Sequence, residues 1–291
     1  MRIQNIINQI RYYRKKYGMK KTIKKILSKI YSKIFKKEEI AKIQGEREKY
    51  QIWIQNNEPN EEELDKQRQT KFSKNYKFSI VVPMYNTPVN FFEELVDCLK
   101  NQTYSNWELC LADGSPEKNQ ELEGIIKSDD RIKYIFLNDN KGISGNTNEA
   151  LKLATGDYIL LVDHDDLLPI FCLYELAKTI NNNPEVEFIY TDEDKIEGTK
   201  DRRCDPHFKP DFAIDTLRAN NYITHLSVFK KELMDKLGGF RDKYNGAQDF
   251  DIIIRATENT KNIIHIPKVL YHWRVHPNST AMVADAKPYA Y

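Results

Sequence analysis

Three carboxylates crowd the end of one apolar run, Tyr158-Ile-Leu-Leu-Val162-Asp163-His164-Asp165-Asp166. Carboxylates this close repel one another and lose hydration unless a cation or a positive partner compensates them. Oxygen donors of this kind suit Mg²⁺ or Mn²⁺, which in turn bind phosphate oxygens. The same residues would also serve as a solvated acidic turn at the start of a helix, and the local pattern leaves both readings open. Three other positions carry possible chemistry. Tyr85 offers a face on which a nucleobase could stack, or it packs over the sheet edge. Asp113 could accept the imide N–H of uracil or thymine, or it makes the turn in Asp113-Gly114-Ser115. Lys141 could reach a phosphate, or it is a surface lysine.

These positions share a place in the pattern, because each follows a predicted strand. The run 158–162 is apolar throughout, as expected of a strand buried on both faces of a parallel sheet. Strands are also predicted over 78–82, with Pro83-Met84-Tyr85-Asn86 ending it, and over 107–112 and 132–137. Between them, 90–101, 118–128 and 144–154 show helical spacing. Strand, crossover helix and strand in repetition imply a mostly parallel sheet with right-handed connections. Open α/β sheets bind ligands at the carboxyl ends of their strands, where these residues fall. Further on, 186–190 reads as a strand ending in Thr191-Asp192-Glu193-Asp194-Lys195. Residues 205–221 read as loop, 222–229 as strand and 250–258 as helix, and 263–274 close the domain. No G-x-G-x-x-G follows the first strand and no G-x-x-x-x-G-K-[ST] occurs, which argues against ordinary dinucleotide and P-loop sites.

Charge is unevenly distributed along the 291 residues. Residues 1–37 hold thirteen Lys/Arg and no Asp or Glu, leaving 32 basic against 43 acidic residues, a net of −11, for the rest. An acidic body is a poor nucleic-acid binder. In the basic segment Ile3, Ile6, Ile7 and Ile10, then Ile23, Leu27, Ile30 and Ile34, recur at helical spacing. Such a helix suits an anionic membrane surface, where each basic residue adds about 1 kcal/mol, or a partner protein. Three divisions follow: a basic amphipathic helical segment over 1–37, a polar helical connector over 38–76, and one α/β domain over 77–291. Cys98, Cys110, Cys172 and Cys204 form no C-x-x-C pair and suit a reducing compartment. With no run long enough to span a bilayer, the expected location is cytoplasmic, peripheral at the inner face of the cell membrane.

Over residues 78–280 the chain resembles family 2 glycosyltransferases with the GT-A fold, especially bacterial enzymes of O-antigen and related, including rhamnose-rich, surface polysaccharides. The matching blocks are Ser79-Ile-Val-Val-Pro83-Met-Tyr85-Asn86, Gln102-Thr-Tyr-Ser-Asn-Trp107-Glu-Leu, Ala154-Thr-Gly156-Asp157-Tyr, Asp163-His-Asp165-Asp166, Tyr190-Thr-Asp192-Glu-Asp194-Lys195, Gln248-Asp249-Phe-Asp251 and Tyr271-His272-Trp-Arg274-Val-His276. Their shared order makes the signal specific. One departure is Ala112, where relatives often double the Asp before Gly-Ser, so Asp113 would recognise the base alone.

The resemblance implies a mostly parallel central sheet flanked by helices, and an inverting transfer. The donor would be a UDP- or dTDP-linked sugar. The acceptor would be a hydroxyl of a growing surface polysaccharide or lipid-linked glycan. Pro83, Tyr85, Asp113, Lys141 and Asp163 would hold the nucleotide sugar. Asp165, Asp166 and His276 would bind Mn²⁺ or Mg²⁺, with His272 as the second choice to His276. Asp249 would be the general base, against an alternative role as a helix N-cap. Asp192, Asp194, Asp251, Arg255 and His272 would lie toward the acceptor. Two alternatives are a non-catalytic subunit of this fold anchoring an assembly complex, and a nucleotidyltransferase. The latter usually carries a Gly- and basic-rich loop after its first strand, unlike Pro83-Met-Tyr-Asn-Thr-Pro88.

Overall fold

Apolar residues alternate between two faces along the central strands, so helices must cover the sheet on both sides. The computed structural model describes Lys16 and residues 42–276. The chain divides into two units at Asn57/Glu58. In the first, residues 42–57 form helix α1, and its Tyr50 and Trp53 rings stack at 5.7 Å. The basic segment 1–37 lies outside the described residues, apart from Lys16.

The second unit opens with α2 (Glu61–Gln69), started by a capping box between Asn60 and Glu63. There follow β1 (Phe78–Met84), α3 (Val89–Lys100), β2 (Trp107–Asp113), α4 (Gln120–Ile126), β3 (Ile132–Phe136), α5 (Gly142–Leu151) and β4 (Tyr158–Leu161). After them come α6 (Cys172–Asn182), β5 (Phe188–Glu197), β6 (Arg203–His207), α7 (Ile214–Ala219), β7 (Ser227–Lys230), α8 (Lys231–Leu237), α9 (Gln248–Asn259) and β8 (Ile263–Val275).

The sheet runs β3-β2-β1-β4-β7-β5-β6, with β8 also paired to β5. Its first four strands are parallel, as the pattern predicts. Polarity reverses at β7, which is antiparallel to both β4 and β5. Two apolar layers result. Ile80, Val82, Tyr158 and Leu160 face α3, α4 and α6, while Val81, Ile159 and Leu161 face α5, α7, α8 and α9. Each such side chain contributes about 1.5–3 kcal/mol when fully buried.

Residues 205–221, expected as loop, contain the end of β6 and all of α7. Pro206 is tolerated because β6 is the sheet's edge strand. β1 also continues through Pro83 to Met84, in register with Ala112 and Asp113 of β2.

At the amino ends of the parallel strands, the carboxylate of Glu108 is fully buried and ties three segments together. It accepts from Ser79 Oγ (2.7 Å) and from the Thr155 amide, and pairs with Lys133 (2.9 Å) and Lys77. Burial alone would raise its pKa, but these partners prevail and hold it down at about 2. The loop they fasten needs glycine at 156, because a Cβ there would sit 2.6 Å from the Lys77 carbonyl oxygen.

Candidate active site

The acidic loop leaves β4 at the opposite end and is strapped down by the end of β8. The Asp163 amide donates to the Tyr271 hydroxyl (3.2 Å), which donates to Asp166 Oδ2 (2.5 Å). Asp166 Oδ1 accepts from the Arg274 amide (2.7 Å), and Arg274 Nε donates to the Asp165 carbonyl (2.6 Å). The Arg274 guanidinium also pairs with Glu94 and lies 4.5 Å from the Phe91 ring centre. Leu167 and His272 exchange two backbone hydrogen bonds.

The strap gathers one carboxylate oxygen each from Asp163, Asp165 and Asp166 within 4.8 Å of one another. His276 joins them, its Nε2 2.8 Å from Asp165 Oδ2. Burial pushes the Asp163 carboxyl up, as do the charges of Asp165 and Asp249, while His225 and His164 pull it down. Asp166 is fully buried and is pushed well up by that burial and by its two neighbours. Both of its oxygens are occupied by Tyr271 and Arg274, so here it holds the loop in shape. Asp163 and Asp165 remain as half-buried oxygen donors, with the His276 imidazole beside Asp165. That set, with its mutual repulsion, fits a divalent cation such as Mn²⁺ or Mg²⁺.

His272, the alternative ligand, is directed elsewhere: its Nδ1 lies 2.5 Å from Asp194 Oδ1. Asp192 and Asp194 do not line the acceptor side. They lie within β5, which runs seven residues past the predicted end, and both are buried. Asp192 meets His265 (2.9 Å) and the Lys209 amide (2.8 Å), while Asp194 meets Arg203 Nε (2.6 Å) as well as His272. Paired in this way, the acids are compatible with a strand interior.

Register places the ends of β1 and β2 beside this loop, with Met84 opposite Asp113 and Val81 opposite both Cys110 and Leu161. Tyr85 is 46% exposed. Asp113 is buried; its Oδ1 accepts from the Ser115 amide (2.9 Å) and hydroxyl (2.5 Å), and its Oδ2 from Tyr134 at a longer 3.2 Å. Gly114 abuts α5 so closely that a Cβ would come 2.6 Å from Asn146 Nδ2. Pro83 lies within β1 and not past its end. Lys141, expected at phosphate, pairs instead with Glu149 of its own helix (2.6 Å).

Asp249 is the second residue of α9 and half-buried, with no side-chain cap bond, so the N-cap alternative does not describe it. Gln248 Nε2 donates to its Oδ2 (3.0 Å). The preceding loop turns at Gly246, φ 94°, and meets α5 where Asn245 Oδ1 accepts from the Ser144 amide (3.2 Å). Asp251 is clamped between Arg241 and Arg255 (2.9 Å), and Arg255 also donates to the carbonyls of Leu237 and Gly239 (2.8 Å each). Asp251 and Arg255 therefore fix α9 to the loop before it.

Tyr271, Arg274, His225, Lys209 and Glu193 also shape the site and were not singled out from sequence. Tyr271 and Arg274 lie in the segment Tyr271-His272-Trp-Arg274-Val-His276, whose histidines are the expected metal ligands. The other three become visible only through contacts made across the chain.

Comparison with known proteins agrees with this geometry. The pattern described as Glycosyl transferase family 2 matches residues 79–238. The uncharacterized protein y4gI of Sinorhizobium fredii is 44% identical over 218 residues, covering 73% of this chain and 24% of its own. The O-antigen biosynthesis protein RfbC of Myxococcus xanthus is 29% identical over 228 residues, covering 77% and 18%. The chain thus spans about a quarter or less of these relatives' lengths. Among solved structures, S. aureus TarS 1-349 in complex with UDP-GlcNAc superposes with a TM-score of 0.59 at 22% identity, covering 71% of this chain and 61% of that one. The mannosyltransferase PcManGT of Pyrobaculum calidifontis, in complex with GDP-Man and Mn²⁺, gives 0.53 at 19%, covering 74% and 63%. A half-parallel sheet with an acidic loop at its carboxyl edge, matched across more than half of the sequence by one pattern, places this chain in glycosyl transferase family 2, with the GT-A fold.

Proposed function

We propose that the chain transfers a sugar from a UDP- or dTDP-linked donor to a hydroxyl of a bacterial surface polysaccharide or lipid-linked glycan, inverting the anomeric carbon. The supporting observation is that Asp163, Asp165 and Asp166 bring carboxylate oxygens within 4.8 Å of one another, with His276 beside Asp165 and Asp249 near enough for its charge to act on Asp163. Asp249 takes the proton of the acceptor hydroxyl. The acceptor oxygen attacks C1 from the face opposite the diphosphate. The C1–O bond breaks, and its electron pair leaves with the nucleoside diphosphate. A divalent cation at Asp163, Asp165 and His276 supplies, when bound, Lewis-acid compensation for charge on the diphosphate.

Tyr85 stacks on the base, and Asp113 accepts its imide N–H by giving up the long bond from Tyr134. Lys141 reaches phosphate only by releasing Glu149. A Mn²⁺-bound structural neighbour and the uridine nucleotide in TarS support the donor side. For the acceptor, support comes from the O-antigen role in RfbC's name. A second relative, 38% identical over 116 residues, is named UDP-Glc:alpha-D-GlcNAc-diphosphoundecaprenol beta-1,3-glucosyltransferase WfgD, of Escherichia coli.

The test is release of free nucleoside diphosphate from a panel of UDP-, dTDP- and GDP-sugars with Mn²⁺ and a lipid-linked glycan acceptor. Turnover with a UDP- or dTDP-sugar is expected. Nucleotide-sugar binding without any release would favour a non-catalytic subunit.

Among the described residues no helix is long and apolar enough to cross a membrane. The acid-free segment 1–37 supports peripheral attachment to an anionic membrane at its cytoplasmic face. A chain beginning at Glu38 should lose salt-sensitive sedimentation with anionic vesicles yet keep its turnover on a soluble acceptor. Equal sedimentation of both chains would remove the membrane role.

A further inference from the structure

A buried ion pair next to the site serves a short stretch of backbone. The Lys209 side chain is fully buried; its Nζ donates to the carbonyls of Ile223 (2.6 Å) and His225 and pairs with Glu193 (3.2 Å). Glu193 Oε2 also accepts from the Thr224 hydroxyl (2.8 Å) and the His225 amide (3.2 Å). Thr224 is held at φ 42°, a conformation rare outside glycine. Buried ion pairs add little net stability over apolar replacements, so their geometric effect is the informative one. Here that effect is to fix His225.

The His225 ring stacks on Tyr271, 4.7 Å between centres and 12° from parallel, and its Nε2 is 3.7 Å from Asp163 Oδ2. Its Nδ1 is buried without a hydrogen-bond partner among the described residues. A neutral imidazole carries one N–H, and burying it unpaired costs the full desolvation penalty of a donor. The proton therefore belongs on Nε2, facing Asp163. At 3.7 Å the two do not bond directly. They can instead share an oxygen that accepts from Nε2–H and donates to the carboxylate. A hydroxyl does both, whereas an ionised phosphate oxygen only accepts.

Strand order says whose hydroxyl it is. Tyr85 and Asp113, assigned above to the nucleoside, lie at the carboxyl ends of β1 and β2, on one side of β4, whereas His225 precedes β7 on the other. We propose that His225 Nε2–H and Asp163 grip a ring hydroxyl of the transferred sugar, making His225 a donor-specificity residue. This rests on the transferase reading above.

The test compares affinity for an intact sugar nucleotide with affinity for its nucleoside diphosphate, by calorimetry with Mn²⁺ on the full chain. His225→Phe keeps a ring on Tyr271 but has no N–H. It should bind the nucleoside diphosphate within about twofold of wild type and the sugar nucleotide about tenfold or more weakly, the scale of one lost hydrogen bond. His225→Gln, whose amide reaches the Nε2 position, should recover most of the difference, and His225→Asn, whose amide reaches only Nδ1, should not. Equal weakening of both ligands would overturn the proposal in favour of a ribose or diphosphate contact. Weaker Mn²⁺ binding would make His225 a metal ligand, and unchanged sugar-nucleotide affinity in all three variants would remove the contact. If His225→Phe fails to fold, the Gln-against-Asn contrast decides alone. Wild-type release of nucleoside diphosphate tests the transferase reading separately from any of these outcomes.

Discussion

Asp249→Asn is expected to lower kcat by about 10²–10⁴-fold, the usual contribution of a general base. Affinity for the nucleoside diphosphate should stay within about twofold, because the amide preserves shape and the proposed role of the residue is toward the acceptor hydroxyl. The structure favours a clean effect. Asp249 bonds to Gln248 and not to the backbone, and α9 is fastened independently through Asp251, Arg241 and Arg255. The substitution should therefore remove a proton acceptor without releasing the helix. Near-normal turnover would exclude Asp249 as the base. Asp192 and Asp194 would not be its replacements, since both are buried and paired. Loss of nucleotide affinity would instead assign Asp249 to the donor site.

Asp165→Asn should fail differently. Its carboxylate is half-buried, meets His276 and is not consumed by the β8 strap, which takes only the Asp165 carbonyl. Removing an outer-shell partner of a metal typically costs 10–100-fold in affinity, so loss of a direct ligand should cost at least about 100-fold. Mn²⁺ titration followed by nucleoside diphosphate titration checks this. Chelation of wild type should reproduce the variant's weak nucleotide binding, and chelation of the variant should add nothing. An Asp165→Asn chain that binds Mn²⁺ and nucleotide like wild type would end the metal-site reading.

The parallel half of the fold was legible because its strands are apolar on both faces and the helices between them keep their spacing. The common edge of Tyr85, Asp113 and the acidic loop follows from that half alone. β5 was cut short at Tyr190 because Asp192, Glu193 and Asp194 look like a solvated end. Their partners His265, Lys209 and Arg203 lie up to about seventy residues away, and nothing local announces them. Pro206 hides β6, and the expected elements do not include α6 and α8. In the site, Asp165 and His276, which the family resemblance gives as ligands of one metal, meet at 2.8 Å. Asp166 looked identical to its neighbours, and only the tertiary partners Tyr271 and Arg274 show that its oxygens are taken. His225 gave no local signal, since its placement depends on the Lys209–Glu193 pair beneath it.

The central strands are treated oppositely at their two ends. Around Glu108 the lysine partners hold the carboxyl down, whereas burial and the neighbouring Asp165 charge push the Asp163 and Asp166 carboxyls up, which means the folded state holds those two against their preference. Substitutions that abolish chemistry at the acidic end therefore relieve the fold, and metal-free Asp165→Asn should melt at or above the wild-type temperature. In a cell such a chain would escape the clearance that removes unstable proteins. It would persist at full abundance without turnover, so inactivating alleles at this end would leave the amount of protein unchanged, while lesions around Glu108 would simply deplete it.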